Sequence, residues 1–181
     1  MKHESKKHKR ENSKLVSSAK FWSVVLISLV SVLALGVSSG MAGDGKLYPG
    51  SMCVRYAGTS TPAYNFSAIG NPSTTSWLYL DCPVIHDTIS SNVKNGWVRM
   101  IDQSYTNALR CSLNSFYRSG GSFYGWWTAN KSSSGSGSHP QHITYSGIGA
   151  NSLAHYYYSC RIPPKYSGNT SYITSYYVEE R

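Results

Sequence analysis

Few side chains in this sequence are of the kind that carry out covalent chemistry, and the densest group of them is "DCPVIHD", with Asp81, His86 and Asp87 inside seven residues. A histidine oriented by a carboxylate can act as general base toward a hydroxyl, and serines are plentiful. A small hydrolase using His86 with Asp81 or Asp87 is therefore one reading. No G-x-S-x-G elbow supports it, and the aspartate also suits a strand end, where its carboxylate would bond nearby backbone amides. The remaining carboxylates after residue 42 are Asp44, Asp102, Glu179 and Glu180. The adjacent glutamates near the end of the sequence do not make the facing pair that glycoside hydrolysis needs, and no D-x-D loop is present for calcium.

His139 and His142 form H-P-Q-H. Zinc ligands at this spacing normally share a helix face, and Pro140 beside a Gly/Ser run opposes a helix. Strand ligands would be two apart. The expectation is a pair of solvated loop histidines and no metal. With no cofactor-binding loop in the sequence, no cofactor is expected either.

The aromatic side chains are the stronger signal. All 15 tyrosines lie beyond residue 42, and "SFYGWWT" adds two adjacent tryptophans. Alternation puts Phe123, Gly125 and Trp127 on one face of a strand and Tyr124 and Trp126 on the other. In a two-layer structure both tryptophans cannot be core. The expectation is that Trp127 fills the core, while Tyr124 and Trp126, joined by outward tyrosines such as Tyr157, form a shallow surface that stacks on sugar rings or on a partner chain. The plainer alternative is that "SSSGSGS", Ser132 to Ser138, a mobile surface loop, folds back over the exposed ring.

The elements that must carry these residues read as strands. In "ALRCSLN", Leu109, Cys111 and Leu113 alternate with polar neighbours; in "AHYYYSCRI", Tyr156, Tyr158, Cys160 and Ile162 do the same. Further strands are expected over 52–56, 76–82, 96–102, 122–128, 142–145 and 172–180, separated by turn formers that include Gly120-Gly121 and Gly168-Asn169. Asn95-Gly96 has the composition of a tight hairpin turn. Tyr, Trp, Val, Ile and Thr suit pleated, half-buried surfaces. Eight or so short strands predict an all-β fold, a single antiparallel two-layer β-sandwich, with jelly-roll-like and immunoglobulin-like topologies both open.

Four cysteines, Cys53, Cys82, Cys111 and Cys160, fit no zinc spacing and predict two disulfides. Cys111 and Cys160 both face the apolar side of a strand, which makes them the preferred pair and leaves Cys53 to Cys82. Spacing alone also permits the other two connectivities.

The front of the chain sets the compartment. Seven of the 17 Lys and Arg residues fall in the first 20 positions, followed by 17 uncharged residues, Phe21 to Val37, and the small residues "SSGMAG". This order predicts an export signal over residues 1–42, cleaved after Ala42; an uncleaved signal anchor is the rival reading, and the only route to a membrane. The expected mature domain is 43–181. It carries ten basic and six acidic residues, a net charge of +4 against +9 for the whole chain. That charge is too mild and dispersed for a nucleic-acid surface.

"LYPGSMCVR", "LYLDCPVIHD" and "YYYSCRIPPKYSGNTSYITSYYVEE" resemble segments of a group of small uncharacterised secreted bacterial proteins. The resemblance runs from about Leu47 to Glu180. It implies secretion by a bacterium and a compact cystine-containing domain, and it brings no assigned site residues. Together these features predict a secreted or periplasmic, disulfide-stabilised sandwich with a non-catalytic binding or structural role toward extracellular polysaccharide or an envelope protein, the hydrolase being the alternative.

Overall fold

The computed structural model describes residues 44–85, 92–149 and 153–180. Backbone proximity divides the chain into Met1–Ala42 and Gly43–Arg181, and every described residue belongs to the second unit. The expected signal segment, His86 and Asp87 lie outside the described residues.

Twelve strands are formed among these residues: β1 Gly45–Pro49, β2 Val54–Ala57, β3 Ala63–Asn65, β4 Ala68–Gly70, β5 Leu78–Val84, β6 Val93–Ile101, β7 Arg110–Ser119, β8 Ser122–Trp127, β9 Lys131–Ser132, β10 Gln141–Ile148, β11 His155–Ile162 and β12 Tyr172–Glu180. They make two sheets. Sheet A has the order β10-β6-β12-β4-β3, with β1 also on β12; sheet B has the order β2-β5-β11-β7-β8, with β9 also on β7. Every pairing is antiparallel. The protein is thus an all-β, two-layer sandwich. From β4 through β7, and again from β10 to β12, successive strands change sheet, which is the crossing pattern of a jelly roll rather than an immunoglobulin fold.

Alternation determines which side chains enter the core. Leu78, Leu80, Cys82 and Val84 of β5 are buried, as are Cys111 and Leu113 of β7 and Tyr156, Tyr158, Cys160 and Ile162 of β11. On sheet A, β6 and β12 contribute Val98, Met100, Ile173, Tyr176 and Val178.

Buried tyrosine is affordable only when its hydroxyl finds a partner, and here four hydroxyls reach across the sandwich to main chain. Tyr145 donates to the Cys111 carbonyl at 2.7 Å, Tyr158 to the Tyr177 carbonyl at 2.8 Å, Tyr176 to the Pro83 carbonyl at 2.8 Å and Tyr48 to the Ile85 carbonyl at 3.1 Å. Their rings form a row through the core, with centroid separations of 5.4 Å for Tyr145 and Tyr158, 5.8 Å for Tyr158 and Tyr176, and 5.1 Å for Tyr176 and Tyr48. The tyrosine excess is therefore in part a set of stitches between layers.

Two disulfides reinforce sheet B. Cys111 is bonded to Cys160 directly across the β7/β11 ladder, and Cys53, just before β2, is bonded to Cys82 of β5. Neither bridge links one sheet to the other.

Three local expectations are corrected. Asn95-Gly96 is not a turn but the interior of β6, where Gly96 pairs with Tyr145 on one side and Val178 on the other; the glycine answers a packing need, since a Cβ there would run into the Tyr158 hydroxyl and the Tyr177 carbonyl. The serine and glycine run is anchored rather than loose. Lys131–Ser132 pairs with β7, Ser133 Oγ donates to Asp102 Oδ2 and Gly137 N donates to the Asp102 carbonyl at 2.7 Å. The third correction concerns Trp127. It is 75% exposed rather than core, and Trp126 is 47% exposed, so neither ring is covered by that loop. The physical reason is register: Trp127 pairs with Asn114, on the face of sheet B turned away from sheet A, while Trp126 pairs with Ser115 on the core side but sits on β8, the strand at the sheet edge.

Candidate binding face on sheet B

The outward face of sheet B is built from the residues that alternate with the core. On β11 these are His155, Tyr157, Ser159 and Arg161; on β7, Arg110, Ser112, Asn114 and Phe116; on β5, Tyr79, Asp81 and Pro83. Register then decides which of them meet. Arg161 lies between Tyr79 and Arg110, Ser159 between Asp81 and Ser112, and Tyr157 between Pro83 and Asn114. Asn114 in turn pairs with Trp127 of β8.

These rows enclose an open depression of about 390 Å³ whose lining includes Tyr56, Tyr79, Trp127, Tyr157, Arg110 and Asn114. Its polar floor is preorganised. Ser112 Oγ and the Asn114 side chain are hydrogen-bonded at 3.3 Å, and Ser159 Oγ donates to the Tyr56 hydroxyl at 3.4 Å. Tyr56 and Tyr79 meet edge to face with centroids 6.1 Å apart. The Arg161 guanidinium sits 5.4 Å from the centroid of the Trp77 ring, a cation–π contact that fixes its direction. Burial raises the Tyr157 hydroxyl above its ordinary pKa, helped by the nearby charge of Asp81 and by Tyr56, so the phenol is a neutral donor and acceptor here. Flat rings at the rim and fixed polar groups between them can hold a sugar ring by stacking on its C–H face while hydrogen-bonding its hydroxyls.

The expected trio of Tyr124, Trp126 and Tyr157 is not brought together. Tyr157 belongs to the outward face, whereas Tyr124 and Trp126 project to the core side of sheet B, because they pair with Tyr117 and Ser115, residues in phase with buried Leu113. There they stack on Tyr117, at 5.0 Å and 5.6 Å between centroids. Trp127, expected inside, is the tryptophan that shares a face with Tyr157. Tyr56, Tyr79, Arg110 and Arg161 did not stand out in the sequence; alternation places Arg110 and Arg161 away from the core, but only strand order makes them neighbours.

Asp81 sits on this same outward face. Desolvation raises its carboxyl above the usual carboxylate range, offset in part by a hydrogen bond with Ser159. His86 and Asp87, its expected catalytic partners, are outside the described residues. His142 is the second residue of β10 rather than a loop residue, and its ring packs 4.9 Å from Trp97 on the outer face of sheet A; His139 is in the preceding turn. Among the described residues, no group of three or more His, Cys, Asp or Glu side chains could hold a metal ion.

No protein-family model matches the sequence, and no curated protein matches it. Among solved structures the chain is similar to the low-affinity xylan-binding module CBM86 from the gut symbiont Roseburia intestinalis, at 14% identity and a TM-score of 0.45, covering 77% of this chain and 97% of that one. It is similar to a family two carbohydrate esterase from Cellvibrio japonicus at 7% identity and a TM-score of 0.44, covering 77% of this chain and 34% of that one. A third is the CBM36-1 domain of a multidomain xylanase from the hindgut metagenome of Trinervitermes trinervoides, at 10% identity and a TM-score of 0.45, covering 75% of this chain and 96% of that one.

Proposed function

We propose that the sandwich is a non-catalytic polysaccharide-binding module that works outside the cytoplasm, and that the outward face of sheet B is its binding face. The observation that carries this reading is the exposed Trp127 ring at one side of a depression lined by Tyr157, Tyr79 and Tyr56, with hydrogen-bonding groups between the rings. Exposed rings gathered around one depression, rather than scattered singly, are the kind of surface that marks a ligand-binding site. The two disulfides support an oxidising compartment, in keeping with the export signal read from residues 1–42.

Electrophoresis of the full chain through gels containing soluble polysaccharides, with sedimentation on insoluble ones, tests this reading. Retardation by at least one glycan is expected, lost in Trp127→Ala and kept in Trp126→Ala, whose ring stacks on the other side of the sheet. Retention of all binding in Trp127→Ala, or absence of binding to every glycan, would overturn it.

A further inference from the structure

Arg110 and Arg161 are directly opposite each other on neighbouring strands and share the outward face of sheet B. Two like charges in that position repel and destabilise the sheet. Among the described residues no carboxylate pairs with either arginine: the ion pairs there are those of Lys46 and Lys94. Arg161 is braced on Trp77, and Arg110 is exposed. Both line the same depression as Trp127 and Tyr79. The acid of this face, Asp81, is one row away, in register with Ser159 rather than with Arg161. The other basic side chain nearby, Lys131, is committed elsewhere, donating to the Thr144 carbonyl at 2.7 Å.

We infer that the glycan taken by this face is anionic, with a carboxylate or sulfate on a sugar ring seated between the Arg110 and Arg161 guanidinium groups while adjoining rings stack on Trp127 and Tyr79. This rests on the polysaccharide-binding reading above and specifies the substrate class of the same site. Guanidinium suits the task because its planar fork pairs with a carboxylate or sulfate through two parallel hydrogen bonds. An anion between the two groups also removes the repulsion that the empty face carries, so binding and sheet stability become coupled.

The test compares full-length wild type with Arg110→Gln, Arg161→Gln, Arg110→Lys and, as a control for net charge, Lys165→Gln. Gel retardation is measured on polygalacturonate, on its methyl-esterified form, on dextran sulfate and on neutral xylan. The basic leader is common to all variants, so differences among them report the domain. Each Arg→Gln change should weaken binding to the anionic glycan about tenfold or more; neutral and esterified glycans should bind weakly in every case. Arg110→Lys should recover only part of the loss, and Lys165→Gln should lose nothing. Polygalacturonate and dextran sulfate distinguish carboxylate from sulfate. Thermal midpoints of the Gln variants should stay level or rise, since a like charge has been removed. If Trp127-dependent binding is found but is equal for neutral and anionic glycans and indifferent to the arginines, the anionic inference fails and the stacking reading stands. If the Arg variants and Lys165→Gln lose binding equally, the attraction is general charge and the inference also fails. If no glycan is bound at all, both fail.

Discussion

The Tyr158 hydroxyl occupies the space where a side chain at position 96 would begin: it donates to the Tyr177 carbonyl at 2.8 Å, and a Cβ on Gly96 would collide with it. The two positions lie on opposing sheets, so each constrains the other through the core. Gly96→Ala should destabilise by about 1–3 kcal/mol as an overpacking change. Tyr158→Phe should cost about 1 kcal/mol through the lost hydrogen bond. Combined, they should cost less than their sum by at least about 0.5 kcal/mol, because removing the hydroxyl vacates the contested space. The rescue should be partial, since the Tyr177 carbonyl oxygen would still lie 2.8 Å from that Cβ. Urea unfolding of the four proteins measures this; strictly additive costs would show that the two sites do not compete.

Asp102 should behave as a structural carboxylate. It is fully buried and accepts from Ser104 N and Ser171 Oγ on one oxygen and from Leu109 N and Ser133 Oγ on the other. Asp102→Ala strands these donors and should cost about 3–5 kcal/mol. Asp102→Asn is not conservative here, because its amide would point a donor at donors, and a loss of about 1–3 kcal/mol is expected. Chemical denaturation checks both. An Asn variant as stable as wild type would show that the carboxylate does not tie this loop down.

Alkaline pH should unfold the domain cooperatively. Burial raises the pKa of Tyr145 and Tyr158 well above the ordinary tyrosine value of 10.0. Their folded forms are neutral, so the stability linked to them is complete below the unfolded pKa. Above it the unfolded chain releases protons that the folded chain retains, and stability falls as pH rises toward the folded values. Each contributes a slope of about 1.4 kcal/mol per pH unit in that window. Exposed tyrosines such as Tyr64 and Tyr105 ionise first without unfolding; a later step in tyrosinate absorbance should coincide with the loss of the circular dichroism signal. Ionisation of every tyrosine with the fold still intact would place the Tyr145 and Tyr158 hydroxyls in contact with solvent.

The long strands were legible because burial on one face writes a period of two into the sequence: β5, β7 and β11 carry it, whereas in β12 a register shift between Ile173 and Ser175 breaks it, so that Ile173 and Tyr176, three apart, are both buried. Where burial is absent, so is the code. β8 is exposed on both faces, so alternation correctly separates Trp126 from Trp127 but contains no information about which faces the core. β3 and β4 are three residues each, too short for a period to register. The candidate site was legible only in pieces. Tyr157 and Arg161 read as outward, yet their meeting with Asn114 and Arg110 depends on the order of strands in a sheet, and that order depends on partners from distant parts of the chain.

β12 has a further consequence. It lies at the centre of sheet A, holding β6 along one edge and both β1 and β4 along the other. Among the described strands it is the last to be synthesised, so until Tyr172–Glu180 exists the pieces of sheet A have nothing to join them. Sheet B has all its strands once β11 exists, but no fragment that stops before Tyr172 contains a finished sheet A. Sheet A is therefore the layer that closes last, on the final described strand.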